Sequence, residues 1–231
     1  WWYKTYSTIR YDIPHFIKNI YRFRKELYEH AWWDYRFTLN MLERSLTIME
    51  KGLTEKGIEQ AEKTAKFLEQ MNISAIYSSP IERAKHTAEI VAKHNSLDVT
   101  VDDRLIELDM GKFTGVPYDD IFTSHGNVFM KFYNGELEIA HNGVETFADV
   151  KKRVLGIVAH VLEQHPDENV VLVTHMDPIK AMLSTIVDLS STNLFELIIA
   201  NASLNIFREK DRKFSLSGIN VMHPSRFDQN W

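Results

Sequence analysis

The sequence contains no cysteine, so disulfides, thiolate metal sites and cysteine nucleophiles are all excluded. It has no apolar run approaching the length of a membrane span, and no membrane association is expected. It also lacks an excess of positive charge. Its 27 Lys/Arg stand against 32 Asp/Glu, a formal net charge of -5, which argues against a dedicated nucleic-acid binder. No internal repeat or low-complexity segment is present. The chain does not open with methionine and is read as starting inside a longer one. Its first residues are aromatic and mixed in charge, unlike a secretory signal, and the cytoplasm is the expected location.

What is present is globular: 44% hydrophobic and 26% charged over 231 residues, enough for one ordinary domain with a small appendage. The two ends differ. Residues 1–52 hold 13 of the 27 aromatics and carry a charge balance of +3, whereas the remainder carries -8. This shift places a boundary at residue 52, dividing a helical N-terminal segment (1–52) from an α/β domain (53–231). In the first segment, apolar residues recur at Phe16, Ile17, Ile20, Tyr21 and Phe23, and again at Phe37, Met41, Leu42, Leu46 and Met49. Both patterns fit buried helical faces, expected to pack on the rest of the chain or to meet a protein partner.

From Thr54 the pattern changes. Thr54 is placed to cap a helix to about Gln70. Ile73–Ser79 reads as a short strand, and Pro80 suits the first turn of a helix to about His94. Val99–Val101 is a brief strand, and 105–138 is a loop region with short helices. A helix is expected over about 145–165, a buried strand over Asn169–Thr174, a helix over Pro178–Leu189, and a late hairpin around 204–207 and 214–216. Strands alternating with helices imply a three-layer α/β fold, a mostly parallel sheet flanked by helices. Functional groups gather at the carboxyl ends of such strands, where Ser78, Ser79 and His175 fall.

The residue types at that edge suit a phosphoryl group, whose anionic oxygens need cations or fixed N–H donors. Arg83, one turn into a helix that follows a strand, can make a two-pronged contact to phosphate. His175 can donate to a phosphate oxygen, and the helix after it aims peptide N–H groups at the same edge. Glu107, if desolvated, can hold a proton for a leaving alkoxide; Glu82, Asp103, Asp109 and Glu145 are the competing carboxylates. The other histidines, such as His86, His94, His125, His141 and His160, show no ligand spacing and are read as surface or packing residues, with His125 in a loop region able to touch substrate.

Five strings occur in one order: Leu53-Thr54-Glu55-Lys56-Gly57; Ser78-Ser79-Pro80-Ile81-Glu82-Arg83-Ala84; Leu105-Ile106-Glu107 with Gly111 and Gly115; Gly143-Val144-Glu145-Thr146-Phe147; and Val171-Leu172-Val173-Thr174-His175. Their order and spacing resemble the histidine phosphatase (phosphoglycerate mutase-like) superfamily over about 53–222. The resemblance implies a phosphomonoesterase acting on small phosphorylated metabolites, without metal or cofactor. It implies Arg83 and His175 as members of the phosphate pocket and Glu107 as proton donor. That family opens with a strand ending in Arg-His-Gly, whose histidine is the nucleophile. No Arg-His-Gly occurs in this sequence, and Arg36-Phe37-Thr38 stands at the expected distance. The nucleophile is therefore unassigned, with His15 and His30 the histidines ahead of Leu53. Three readings stay open: a working or impaired phosphatase, a catalytically inactive binding or scaffold protein, and a phosphoglycerate mutase.

Overall fold

The structure is a computed structural model and describes residues 52–221. The expected N-terminal helices, together with His15 and His30, lie outside the described residues.

Helix α1 (Glu55–Leu68) begins where Thr54 turns its hydroxyl back to accept the Gly57 N–H at 3.1 Å. Such a cap is worth about 1 kcal/mol. Ala61, Ala65 and Leu68 lie on one face at steps of four and three and are buried. After a left-handed residue at Asn72, the chain enters strand β1 (Ile73–Ser78). Helix α2 (Glu82–Asn95) follows and packs on α1 through Ala88, Val91 and Ala92. Small residues on both helices permit a close approach. His94 ties them at one end, with Nδ1 2.5 Å from Glu69 and Nε2 2.6 Å from Glu62. The two carboxylates raise the imidazole's pKa.

Strand β2 (Val99–Val101) pairs parallel with β1 on one side, and β3 (Asn169–Val173) pairs parallel on the other, giving the order β2-β1-β3. Alternation then sorts the side chains. Ile76, Val171 and Val173 face α1 and α2. Ala75, Tyr77, Val170 and Leu172 face α5 (Phe147–Gln164), which presents Ile157 and Val161. Three layers result, as expected. The α5 helix starts at a capping box in which Thr146 and Asp149 hold each other's peptide N–H.

Register puts Ser78 beside Val101 and Val173, so all three strands end level. Two more hydrogen bonds continue the alignment past the strands: the Ser79 N–H donates to Val173 O and the Asp102 N–H to Ser78 O, both at 2.9 Å. Whatever follows each strand is therefore delivered to one edge.

Between β2 and α5 lie α3 (Tyr118–His125) and α4 (Val128–Tyr133), with short single-turn helices around them. Phe132 of α4 is fully buried against Phe147 and Tyr133. Gly111 fixes how this region folds back. It has φ +51°, and a Cβ there would lie 2.3 Å from the Gly143 carbonyl carbon, so no side chain fits.

Several expected boundaries move. Pro80 precedes α2 rather than entering it, because Ser79 Oγ accepts the Ile81 N–H at 3.2 Å and holds a turn ahead of the helix. The helix after His175, α6 (Met176–Leu183), stops six residues before Leu189. Ser184 and Thr185 bond their hydroxyls to the carbonyls of Ala181 and Met182, which takes those acceptors away from a continuing helix. Ile186 and Leu189 still pack on the core, which is why the apolar pattern outlasts the helix. A short helix α7 (Ser191–Glu196), capped by Ser190 at 3.1 Å, was not anticipated. Strand β3 is half-buried rather than buried. Among the described residues it pairs on its β1 side alone. The hairpin of β4 (Leu204–Lys210) and β5 (Lys213–Val221) is antiparallel and longer than expected.

Candidate functional site

Three elements converge at the edge where the strands end. Arg83 stands in the first turn of α2 and reaches across to His175, which ends the β3 segment and caps α6. The guanidinium NH2 is 3.1 Å from His175 Nδ1. A guanidinium has only donors, so Nδ1 accepts and the ring proton sits on Nε2. Nε2–H then donates to Ser79 Oγ at 2.9 Å. His175 is buried, at 7% exposure. Burial, Arg83 and then Arg153 push its pKa down to about 3, so the ring is neutral at neutral pH. Burial also lowers the pKa of Arg83, against the pull of Glu107; the guanidinium nonetheless keeps its charge.

Glu107 closes the third side. Its Oε1 accepts the peptide N–H of Leu108 at 2.9 Å and of Asp177 at 3.2 Å, and its Oε2 accepts that of Met176 at 3.3 Å. The carboxyl thus caps the helix that starts at His175. Such caps normally favour the ionised form. Burial and the charge of Asp177 outweigh the peptide N–H groups and Arg83, and the pKa rises to about 7. This group is poised to hold or release a proton at neutral pH.

The competing carboxylates go elsewhere. Asp103 and Glu82 are exposed, and Asp109 accepts the Gly111 N–H at 2.8 Å. Glu145 is held two-pronged by Arg153 of α5, at 2.7 and 2.9 Å. Of the histidines outside the site, His125 is exposed and lies against Phe113.

Arg153 itself had no signal in the sequence, and its reach is wide. Its guanidinium donates to the carbonyls of Arg104 (2.9 Å), Ile106 (2.7 Å) and Glu107 (3.2 Å) as well as to Glu145. It therefore clamps the backbone that carries Glu107. Arg153→Met should cost about 3 kcal/mol or more, since it strands a half-buried carboxylate and three carbonyls. At 2–4 °C per kcal/mol, a fall in Tm of roughly 10 °C is expected by calorimetry. A fall below about 2 °C would show that the clamp is dispensable.

Among the described residues, no group of acidic or histidine side chains is arranged to hold a metal ion. Among the same residues, no helix is long and apolar enough to cross a membrane.

The fold is of the phosphoglycerate mutase-like α/β type. The sequence model of the histidine phosphatase superfamily (branch 1) matches residues 43–222, and the chain belongs to that superfamily. The match begins ten residues ahead of Leu53, inside the N-terminal segment. Phosphoserine phosphatase 1 of Hydrogenobacter thermophilus is 27% identical over 182 residues, covering 79% of this chain and 86% of the relative. A 2,3-bisphosphoglycerate-dependent phosphoglycerate mutase of Thermoplasma acidophilum is 37% identical over 164 residues, covering 69% and 76%. Among solved structures, YhfR of Bacillus stearothermophilus superposes with a TM-score of 0.67 at 29% identity, covering 74% of this chain and 85% of the other. A mycobacterial glucosyl-3-phosphoglycerate phosphatase in complex with inorganic phosphate superposes with a TM-score of 0.65 at 27% identity, covering 74% and 87%.

Proposed function

We propose that the chain is a phosphomonoesterase acting on small phosphorylated metabolites, with Arg83 and His175 holding the phosphate and Glu107 supplying the proton. The observation that carries this reading is the meeting of the Arg83 guanidinium and the His175 imidazole, 3.1 Å apart, beside the Glu107 carboxyl. The relatives' names support it: each is a phosphatase or mutase of a small phosphate ester.

In the reaction, Arg83 turns from His175 Nδ1 to two phosphate oxygens, and the ring takes up a proton as the anion replaces the cation beside it. His175 then donates to a third oxygen. Glu107, half protonated near neutrality, passes its proton to the leaving alkoxide as the P–O bond breaks, and the phosphoryl group passes to water, directly or by way of the unassigned nucleophile. Phosphatase is preferred to mutase because a mutase needs a closed pocket that retains the phosphoenzyme, and the sequence gives no sign of one.

A second reading is favoured by one specific observation: the sequence has no Arg-His-Gly, so the nucleophile is unassigned. On this reading the domain binds phosphate or a partner without turnover. Phosphate release from an aryl phosphate and from phosphoserine, at mildly acidic pH without added metal, separates the two. The phosphatase reading expects turnover that His175→Ala abolishes. No release in the wild type, together with thermal stabilisation by inorganic phosphate, would establish the binding module instead.

A further inference from the structure

Behind Glu107 lies a group of buried polar side chains that the proposed reaction does not use. Asp177 and Lys180 sit one turn apart on α6, at 2% and 1% exposure. Tyr133, from the end of α4, is 6% exposed and lies between them. Its hydroxyl donates to Asp177 Oδ1. The Lys180 ammonium donates to that hydroxyl at 3.0 Å and stands 4.8 Å from the ring centroid. Charges buried this deeply are costly, and an apolar side chain of similar volume would pack α4 on α6 without that cost. What an apolar residue could not do is act on the neighbour across the helix start. Asp177 bears on Glu107 in two ways: its peptide N–H holds Glu107 Oε1 at 3.2 Å, and its charge, after burial, raises the carboxyl's pKa.

We propose that Asp177 is a positioning residue for the acid: its side chain, bonded to Tyr133 beside Lys180 where α4 seats on α6, fixes the helix start whose peptide N–H holds the Glu107 carboxyl. The inference rests on the reading of Glu107 as the proton donor. It makes the segment between β2 and α5 a condition of the site's protonation, beyond any role in enclosing a substrate.

The other groups facing Glu107 set the balance. Arg83 from α2 favours the ionised carboxylate, as do the peptide N–H groups of Leu108 and Asp177. His175 is neutral there, and Arg153 from α5 touches the Glu107 carbonyl rather than its carboxyl. Burial and the Asp177 charge oppose these, and Asp177 is the one of the two that a single isosteric change removes.

The test follows the Glu107 carboxyl directly, by carbon NMR of protein labelled at glutamate, with Glu107→Gln used to assign the signal. The wild-type midpoint is expected near pH 7. Asp177→Asn should lower it by about one pH unit, since a like charge has gone. Tyr133→Phe, which removes only the hydroxyl supporting Asp177, should shift it less but in the same direction. An unchanged midpoint in folded Asp177→Asn protein would overturn the proposal. If that variant does not fold, an unchanged midpoint in Tyr133→Phe does so. The titration needs no substrate and so stands apart from the reading it deepens. Wild-type protein that hydrolyses nothing, with the midpoint lowered in Asp177→Asn, defeats the phosphatase reading alone. Protein that hydrolyses aryl phosphate with Glu107 unmoved defeats the Asp177 proposal alone. Where turnover is present, the basic limb of the kcat/KM profile in Asp177→Asn should move down with the NMR midpoint.

Discussion

Glu107→Gln should make the protein more stable at pH 8 and leave it nearly unchanged at pH 4.5. The sign follows from the raised pKa. Glu107 titrates near 7 in the folded chain against an ordinary value of 4.5. The folded state therefore binds the proton more tightly than the unfolded one, and stability is lost as pH rises from about 4.5 through 7. Above that range the loss is complete. At 1.36 kcal/mol per pH unit between 4.5 and 7 the penalty is about 3 kcal/mol, and glutamine escapes it by carrying no charge. For a domain of this size that is a rise in Tm of roughly 5–10 °C at pH 8. His175 slopes the other way: its lowered pKa gives stability that is present above about 6.5 and lost as pH falls toward 3. The two slopes overlap and partly cancel in the wild type, so the comparison is between variant and wild type at each pH. Equal Tm differences at the two pH values would mean that the carboxyl is not held protonated.

Arg83→Gln should lower kcat/KM for an aryl phosphate by about a hundredfold to a thousandfold, the usual loss when one donor to a developing oxyanion is removed. Glutamine keeps one N–H pair but is shorter and loses the charge and the fork, so both binding and turnover suffer. Little change in Tm is expected, because Arg83 stands in the first turn of α2 and its side chain serves the site rather than the core. A second readout follows from the same contact. Arg83 is among the groups that depress the His175 pKa, so removing it should let the ring titrate at higher pH, visible in proton NMR. Unaltered kinetics together with an unaltered His175 would place the guanidinium outside the chemistry.

Much of this was legible because the informative residues are local. Thr54 caps the helix that it precedes, and Ser79, Arg83 and His175 each follow a strand end within a few residues. Parallel register then brings these separate endings to one edge without any further signal. What the sequence hid is long-range or conformational. Arg153 works on carbonyls 46 to 49 positions away, and its own neighbours on α5 look like any amphipathic helix. Tyr133 meets Asp177 44 positions later, and nothing local marks the pair. The end of α6 was misplaced because hydroxyl bonds, not loss of apolar periodicity, stop it. The β4–β5 hairpin turns on Asp211-Arg212, both with positive φ, where the usual signal for such a turn is Asn-Gly or Asp-Gly.

A crystal soaked with vanadate or tungstate decides whether Arg83 and His175 share one anion. One oxyanion is expected with its oxygens in hydrogen-bond reach of both the Arg83 guanidinium and the His175 ring, and with the Glu107 carboxyl facing it. An oxyanion bound elsewhere, with Arg83 still turned onto His175 Nδ1, would contradict that arrangement.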